Sequence, residues 1–286
     1  MDEIAQARAA ALLHHRSTGL APGQPIALPI TSSATFHAPD MDGLSHVYGR
    51  SGMPTWEALE EQLALLEDAP CVAFPSGMAA ISAALFAGLG AGKRLILPSD
   101  GYYVSRLLAA QVLAAYGVEV VETATRDFAT ADFTGAAVVL IETPSNPGLD
   151  VVDIAAVCAR AHAAGAMVIA DNTTMTPLLQ RPLDLGADVV VAADTKAPAG
   201  HSDTLFGHVA SRDAAFTARV REGRRLSGAV PGSFEAWLVH RGLETLEVRL
   251  SRMCATAGAN APRLAAYPRV KNTRPPARLT APSHPL

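Results

Sequence analysis

Short runs of small and β-branched apolar residues alternate with longer stretches of helical spacing through the middle of this chain. That alternation restricts the fold more than any other feature. The runs fall at residues 71–74, 94–97, 119–122, 137–141, 167–170 and 188–191. Each lacks an amphipathic period, as strands buried on both faces do. Helical spacing is read between or beside them at 56–67, 79–89, 104–115 and 154–164, with Leu59, Leu63 and Leu66 forming one stripe and Thr55 placed as an N-cap. Strands separated by helices predict a mainly parallel sheet with helices on both faces, an α/β architecture. A further strand is read at 204–210, and 213–260 is read as helical in stretches, interrupted at 228–232.

The organisation expected along the chain is an N-terminal helix and extended arm over 1–45, a large α/β domain over 46–225, a helical start of a C-terminal part over 226–265, and a disordered, proline-bearing tail over 266–286. Hydrophobic residues make up 49% of the 286 and charged residues 17%, enough apolar material for a sizeable core. A net charge of −4, from 23 basic and 27 acidic side chains, points to neither nucleic acid nor an acidic membrane as partner. Cys71 and Cys158 fall in a predicted strand and helix and read as buried free thiols of a reducing compartment, while no Cys or His cluster suggests a metal. The apolar stretches are broken by charges well short of the roughly 20 residues that span a bilayer, and no apolar leader follows Met1. A cytoplasmic protein is expected.

Two of the runs end in polar residues with chemical potential. Residues 167–170 lead into Asp171-Asn172-Thr173, and 188–191 are followed by Asp194-Thr195-Lys196. In a parallel sheet both ends face the carboxyl edge, where open α/β sheets bind ligands. A lysine near one strand end is usually solvated, and Asp-Asn-Thr alone is a common turn. Together, a lysine able to form a Schiff base and a carboxylate able to pair with a pyridinium nitrogen are what pyridoxal phosphate (PLP) requires. Ser76-Gly77-Met78 lies between a strand and a helix, where free N–H groups accept an anion, or where Ser76 serves simply as N-cap. Asn146 sits between Pro144 and Pro147 in Glu142-Thr143-Pro144-Ser145-Asn146-Pro147, a rigid turn that also ends a strand. Tyr102 follows the run 94–97 and suits stacking on a flat ring, or plain packing.

These pieces, with Tyr48-Gly49-Arg50-Ser51-Gly52-Met53-Pro54-Thr55 and Gly200-His201-Ser202-Asp203, resemble the Cys/Met metabolism family of PLP-dependent enzymes across about residues 25–260. The resemblance implies a PLP-dependent transferase of fold type I, aspartate aminotransferase-like, with PLP as cofactor. It implies that Lys196 carries the cofactor and moves protons, and that Asp171 faces the pyridine nitrogen. Ser76, Gly77, Met78 and Thr195 are implied at the phosphate, Tyr102 on the ring and in catalysis, Asn146 at the phenolic oxygen, and Thr173 within the same shell. Tyr48 and Arg50 are implied to reach the phosphate of a neighbouring subunit, so that a homodimer or homotetramer shares its sites.

The chain departs from the family pattern at Ala193, where a serine hydroxyl is usual, and at Met53, where asparagine is usual. The resemblance also implies a small C-terminal domain bearing the arginine that binds the substrate carboxylate. The chain stops on the order of 100 residues short of completing it and is therefore read as truncated, with Arg249 and Arg252 as the candidates should residues 243–286 supply such a site themselves. The implied activity is a carbon–sulfur lyase acting on cystathionine or a related sulfur amino acid. The alternatives are a γ-replacement transferase of the cystathionine γ-synthase or O-acetylhomoserine sulfhydrylase type, and a PLP-fold remnant with little activity.

Overall fold

A computed structural model describes residues 1–17, 19–39, 43–271 and 273. The apolar runs form β1 (Cys71–Phe74), β2 (Arg94–Pro98), β3 (Glu119–Thr123), β4 (Ala136–Glu142), β5 (Met167–Asp171), β6 (Val189–Ala192) and β7 (Gly207–Ala210). Among the described residues they make one sheet in the order β1-β7-β6-β5-β4-β2-β3. The pairs β2–β3, β2–β4, β4–β5 and β5–β6 are parallel, and β7 runs against both β6 and β1. The carboxyl ends of β1, β2, β4, β5 and β6 therefore share one edge. No helix separates β6 from β7, and a connection without a crossover returns its strand antiparallel. The strand expected over 204–210 accordingly begins only at Gly207.

The helices are α1 (Glu3–His14), α2 (Pro54–Glu67), α3 (Gly77–Gly88), α4 (Tyr103–Leu108), α5 (Ile154–Ala163), α6 (Thr176–Leu179), α7 (Ala214–Ser227), α8 (Ser233–Leu243) and α9 (Leu246–Ala265). Strand side chains alternate between faces, and β4 shows the consequence. Val138 and Leu140 join the core under α3 and α7 with Leu85, Phe216 and Val220, while Val139 and Ile141 join the core under α5 with Ile154 and Val157. A third core packs α1, α2, α8 and α9 on the other face of β1 and β7, through Leu12, Leu59, Leu63, Leu243 and Leu246.

Three local expectations change. Thr55 is not an N-cap: Met53 takes that position, and the buried Thr55 hydroxyl instead accepts from Thr31 N at 2.8 Å and donates to Pro29 O at 3.2 Å, pinning the arm. The helix expected over 104–115 is α-helical only to Leu108, continues as a π-turn over Ala109–Leu113 and closes with a 3-10 turn at Ala114–Tyr116. Gly117 follows at φ +83°, a conformation that favours glycine, and carries the chain into β3. Of the tail expected over 266–286, residues 272 and 274–286 lie outside the described residues. Cys71 and Cys158 are buried, whereas Cys254 on α9 is exposed.

A buried ionic cluster lies beneath the β6–β7 connection. His208, on β7, contacts both Asp194 carboxylate oxygens through Nδ1 at 2.9 Å and Glu67 Oε1 through Nε2 at 3.0 Å. Beside it, Arg224 Nη1 donates to Glu60 Oε1 at 2.5 Å and to Ala73 O at 3.0 Å.

Candidate active site

The carboxyl edge of the sheet holds a cavity of about 230 Å³. The wall residues come from strand ends and the loops that follow them, and from the start of α3 through Gly77, Met78 and Ile81. From β1 the chain turns at Ser76, whose hydroxyl caps α3 by accepting from Ala79 N at 3.1 Å. The Gly77 and Met78 N–H groups belong to the first turn of α3, which has no intrahelical acceptors for them and carries the positive end of the helix dipole. Gly77 is required there sterically, since a Cβ would lie 2.5 Å from the Ala193 Cβ. Gly207 is equally constrained, because its Cβ would lie 2.6 Å from the Gly77 Cα. The site where serine is usual is thus filled by close packing of three segments, with Ala193 the side that fits.

Asp171 ends β5 on the cavity wall. Burial raises its pKa above the ordinary carboxylate value, against hydrogen bonds from the Thr173 hydroxyl and N–H, and no cation acts on it among the described residues. A buried acid in that state is matched by a cationic N–H partner. Thr173 also braces the edge, its hydroxyl oxygen accepting from Ala193 N at 2.9 Å. Asn146 is exposed at the rim, between cis peptide bonds at Thr143–Pro144 and Asn146–Pro147. Tyr102 closes the far wall, its ring 5.4 Å from that of Tyr103 at 66°.

Lys196 is exposed, and its side chain has no hydrogen bond or ion pair among the described residues. It lies on the boundary between the small cavity and a wider groove of about 1070 Å³ that runs to α9, with Thr195 and Leu205 shared by both. Thr195 lines the cavity, but its hydroxyl is committed to Phe206, accepting from Phe206 N at 2.9 Å and donating to Phe206 O at 3.2 Å.

Ser76, Gly77, Met78, Tyr102, Asn146, Asp171, Thr173, Thr195 and Lys196 are therefore brought to one cavity. Tyr48 and Arg50 are not. They line a separate hollow of about 530 Å³ near Trp56 and Phe234, Arg50 donating to Arg225 O at 3.0 Å and lying 5.3 Å from the centre of the Tyr48 ring.

Arg249 is no free carboxylate receptor. Its guanidinium donates to Ala197 O at 2.6 Å, Pro198 O at 3.1 Å and Gly242 O at 2.7 Å, and its Nε donates to Thr245 Oγ1 at 3.0 Å. It ties α9 to the loop that presents Lys196. Arg252 remains exposed in the groove.

Ile81, Thr174 and Leu205 on the cavity wall escaped the sequence reading, and so did one titratable residue. Glu142, the last residue of β4, stands opposite Asp171 in register and accepts from Tyr102 N at 2.6 Å. Burial first, then Asp171, push its pKa up to about 7.

Comparison with known proteins bears out the family that the sequence motifs resemble. The model of the family described as Cys/Met metabolism PLP-dependent enzyme matches residues 11–286. A putative cystathionine gamma-lyase of Streptomyces coelicolor is 47% identical over 259 residues, covering 88% of this chain and 66% of the relative. Cystathionine beta-lyase MetC of Bacillus subtilis is 40% identical over 251 residues, covering 86% of this chain and 64% of the relative. The chain thus spans just under two thirds of the length of these curated relatives. Among solved structures, apo CalE6, a methionine gamma lyase from Micromonospora echinospora, superposes with a TM-score of 0.91 at 40% identity, covering 96% of this chain and 76% of that one.

Proposed function

The chain belongs to the Cys/Met metabolism PLP-dependent enzyme family and has the fold type I architecture of its structural neighbours; on that footing we propose that it acts as a PLP-dependent carbon–sulfur lyase on cystathionine or a related sulfur amino acid. The observation that carries the reading is the convergence of Lys196, Asp171 and the α3 N-terminus on one cavity.

The donor set fits the cofactor. The Gly77 and Met78 N–H groups would hold the phosphate, with Ser76 and Thr195 lining the same cavity. Tyr102 would cover the ring, Asn146 would meet its phenolic oxygen, and Asp171, braced by Thr173, would face its nitrogen. Bound PLP supplies an electron sink for the negative charge that develops at the substrate α-carbon. Asp171 maintains that capacity by favouring a proton on the ring nitrogen, which answers its own buried and unmatched charge. Lys196 Nζ, at the boundary of cavity and groove, anchors the cofactor and moves the proton at the substrate α-carbon. The groove beside it is where the substrate side chain lies, and the Arg249 tie to Ala197 and Pro198 keeps the lysine loop in place. Tyr48 and Arg50 stand apart from their own cavity and complete that of a second copy, in a cytoplasmic homodimer or homotetramer.

Lys196→Ala tests the reading. Wild-type protein supplied with PLP and cystathionine should release ammonia and a thiol, and the variant should release neither above background. Both chains should unfold within about 0.5 kcal/mol of each other, because an exposed, unpaired lysine contributes little to stability. A variant that turns over near the wild-type rate would remove Lys196 from the chemistry. The identity of the thiol separates γ- from β-elimination, and a second incubation with an activated homoserine plus cysteine separates a lyase from a γ-replacement enzyme.

A further inference from the structure

We propose that Glu142 is a positioning residue, its carboxyl group setting Tyr102 over the cofactor. The inference rests on the PLP reading above and deepens it.

The geometry is specific. Tyr102 follows β2 and Asn146 follows β4, so the two loops arrive at the cavity from different strands. Glu142, at the end of β4, reaches across to accept from Tyr102 N at 2.6 Å, across 40 residues of sequence. Asn146 lines the same cavity four residues after Glu142, in the loop that Glu142 begins. A Cβ at Gly101 would lie 2.7 Å from Glu142 Oε2, so a side chain there would push this carboxylate aside.

A glutamate is a costly way to brace a turn. Glu142 is partly buried, and both Asp171 on β5 and Asp100 in the β2–α4 loop oppose its charge. Its second effect explains the choice. Two carboxyl groups opposite each other in register, Glu142 and Asp171, make the cavity floor a place that takes up positive charge. The same side chain would thus hold the aromatic residue on the face of the ring and favour a cation at the cavity floor.

The test is a PLP titration followed by visible absorbance and by the circular dichroism of the bound cofactor, which reports how the ring is held. The chains compared are wild type, Glu142→Ala, Glu142→Gln, Tyr102→Ala and the Tyr102→Ala/Glu142→Ala double variant. Each is also melted without PLP. Glu142→Ala should bind PLP about tenfold more weakly, as expected for loss of a charge-assisted hydrogen bond, with altered dichroism per bound cofactor. Glu142→Gln is close in shape, so its fold is preserved, and it keeps one acceptor oxygen; its affinity should fall between. The double variant should lose much less than the product of the single losses, because one residue acts through the other. Glu142→Ala with wild-type affinity and dichroism, or losses that multiply, would overturn this proposal alone. A wild-type chain that takes up no PLP would overturn it together with the reading on which it rests.

Discussion

Replacing His208 by alanine should destabilise the chain severely, and the size of the effect follows from what surrounds the ring. His208 is 1% exposed, Asp194 0% and Glu67 3%, so water screens neither ion pair. Burial alone would depress the imidazole pKa, but the Asp194 carboxylate first, and then Glu67, overcome it and hold the ring protonated up to about 10. Removing the cation leaves two carboxylates facing an apolar hole, a change that costs about 3–5 kcal/mol. Proton linkage gives a similar figure. A rise from 6.5 to about 10 corresponds to roughly 5 kcal/mol, at about 1.4 kcal/mol per unit. Because the folded value lies above the unfolded one, this stabilisation is complete below about pH 6.5. It declines as pH rises and is lost through about pH 10, since there the unfolded chain has already released the proton that the folded chain retains.

The assay is thermal unfolding of wild type and His208→Ala by circular dichroism at several pH values. At neutral pH the midpoint should fall by roughly 5–8 °C, and the gap should narrow as pH approaches 10. PLP uptake should weaken as well, because Asp194 lies two residues before Lys196 and its carboxylate would be free to leave its buried position. A variant within about 1 kcal/mol of wild type would show that the two carboxylates are not charged in the fold and that the imidazole contributes packing alone.

The strands were legible because β-branched runs of four to seven residues have few alternatives, and their polar ends put Asp171 and Lys196 on the correct edge. Properties set by contacts across long sequence separations were not. The antiparallel sense of β7 depends on the absence of a helix after Lys196, and its short length on Gly207 packing against Gly77. Glu142 stood in plain view within its proline-bounded motif, but its partner is a backbone N–H 40 residues earlier, which no local pattern announces. Arg249 looked like a receptor for a carboxylate, because sequence does not show three backbone carbonyls already around a guanidinium. Thr55 has the residue type of a cap, yet the arm at Pro29 and Thr31 captures its hydroxyl first. A signal for the ionic cluster was available in part. Asp194 and His208 are unusual inside apolar strand ends, although nothing local names Glu67, 141 residues away from His208, as the third member.

Asp171→Asn should retain PLP but lose most turnover, since an amide does not favour the protonated ring nitrogen; an unchanged rate would place that nitrogen elsewhere. His240 should make the fold acid-sensitive. Burial, then His15 and Arg16, hold its pKa down to about 4, so the stabilisation of the neutral ring is complete above about pH 6.5 and is lost as pH falls through 4, about 3 kcal/mol in all. His240→Phe should flatten the melting curve across that window, and an equal slope in both chains would refute the assignment. Gly200→Ala probes the lysine loop itself. Gly200 has φ +75°, its N–H donates to Lys196 O at 2.8 Å, and a Cβ would run into the Arg249 guanidinium. The left-handed conformation costs alanine about 1–2 kcal/mol, and pushing the guanidinium off its carbonyl acceptors adds a comparable loss, giving about 2–4 kcal/mol together. Melting and PLP titration should both show the damage. Adding Arg249→Ala removes the side chain that clashes, so the second substitution should cost clearly less in the Gly200→Ala background than in wild type. Equal costs in the two backgrounds would mean that Gly200 and Arg249 act separately and that α9 does not hold the loop that carries Lys196.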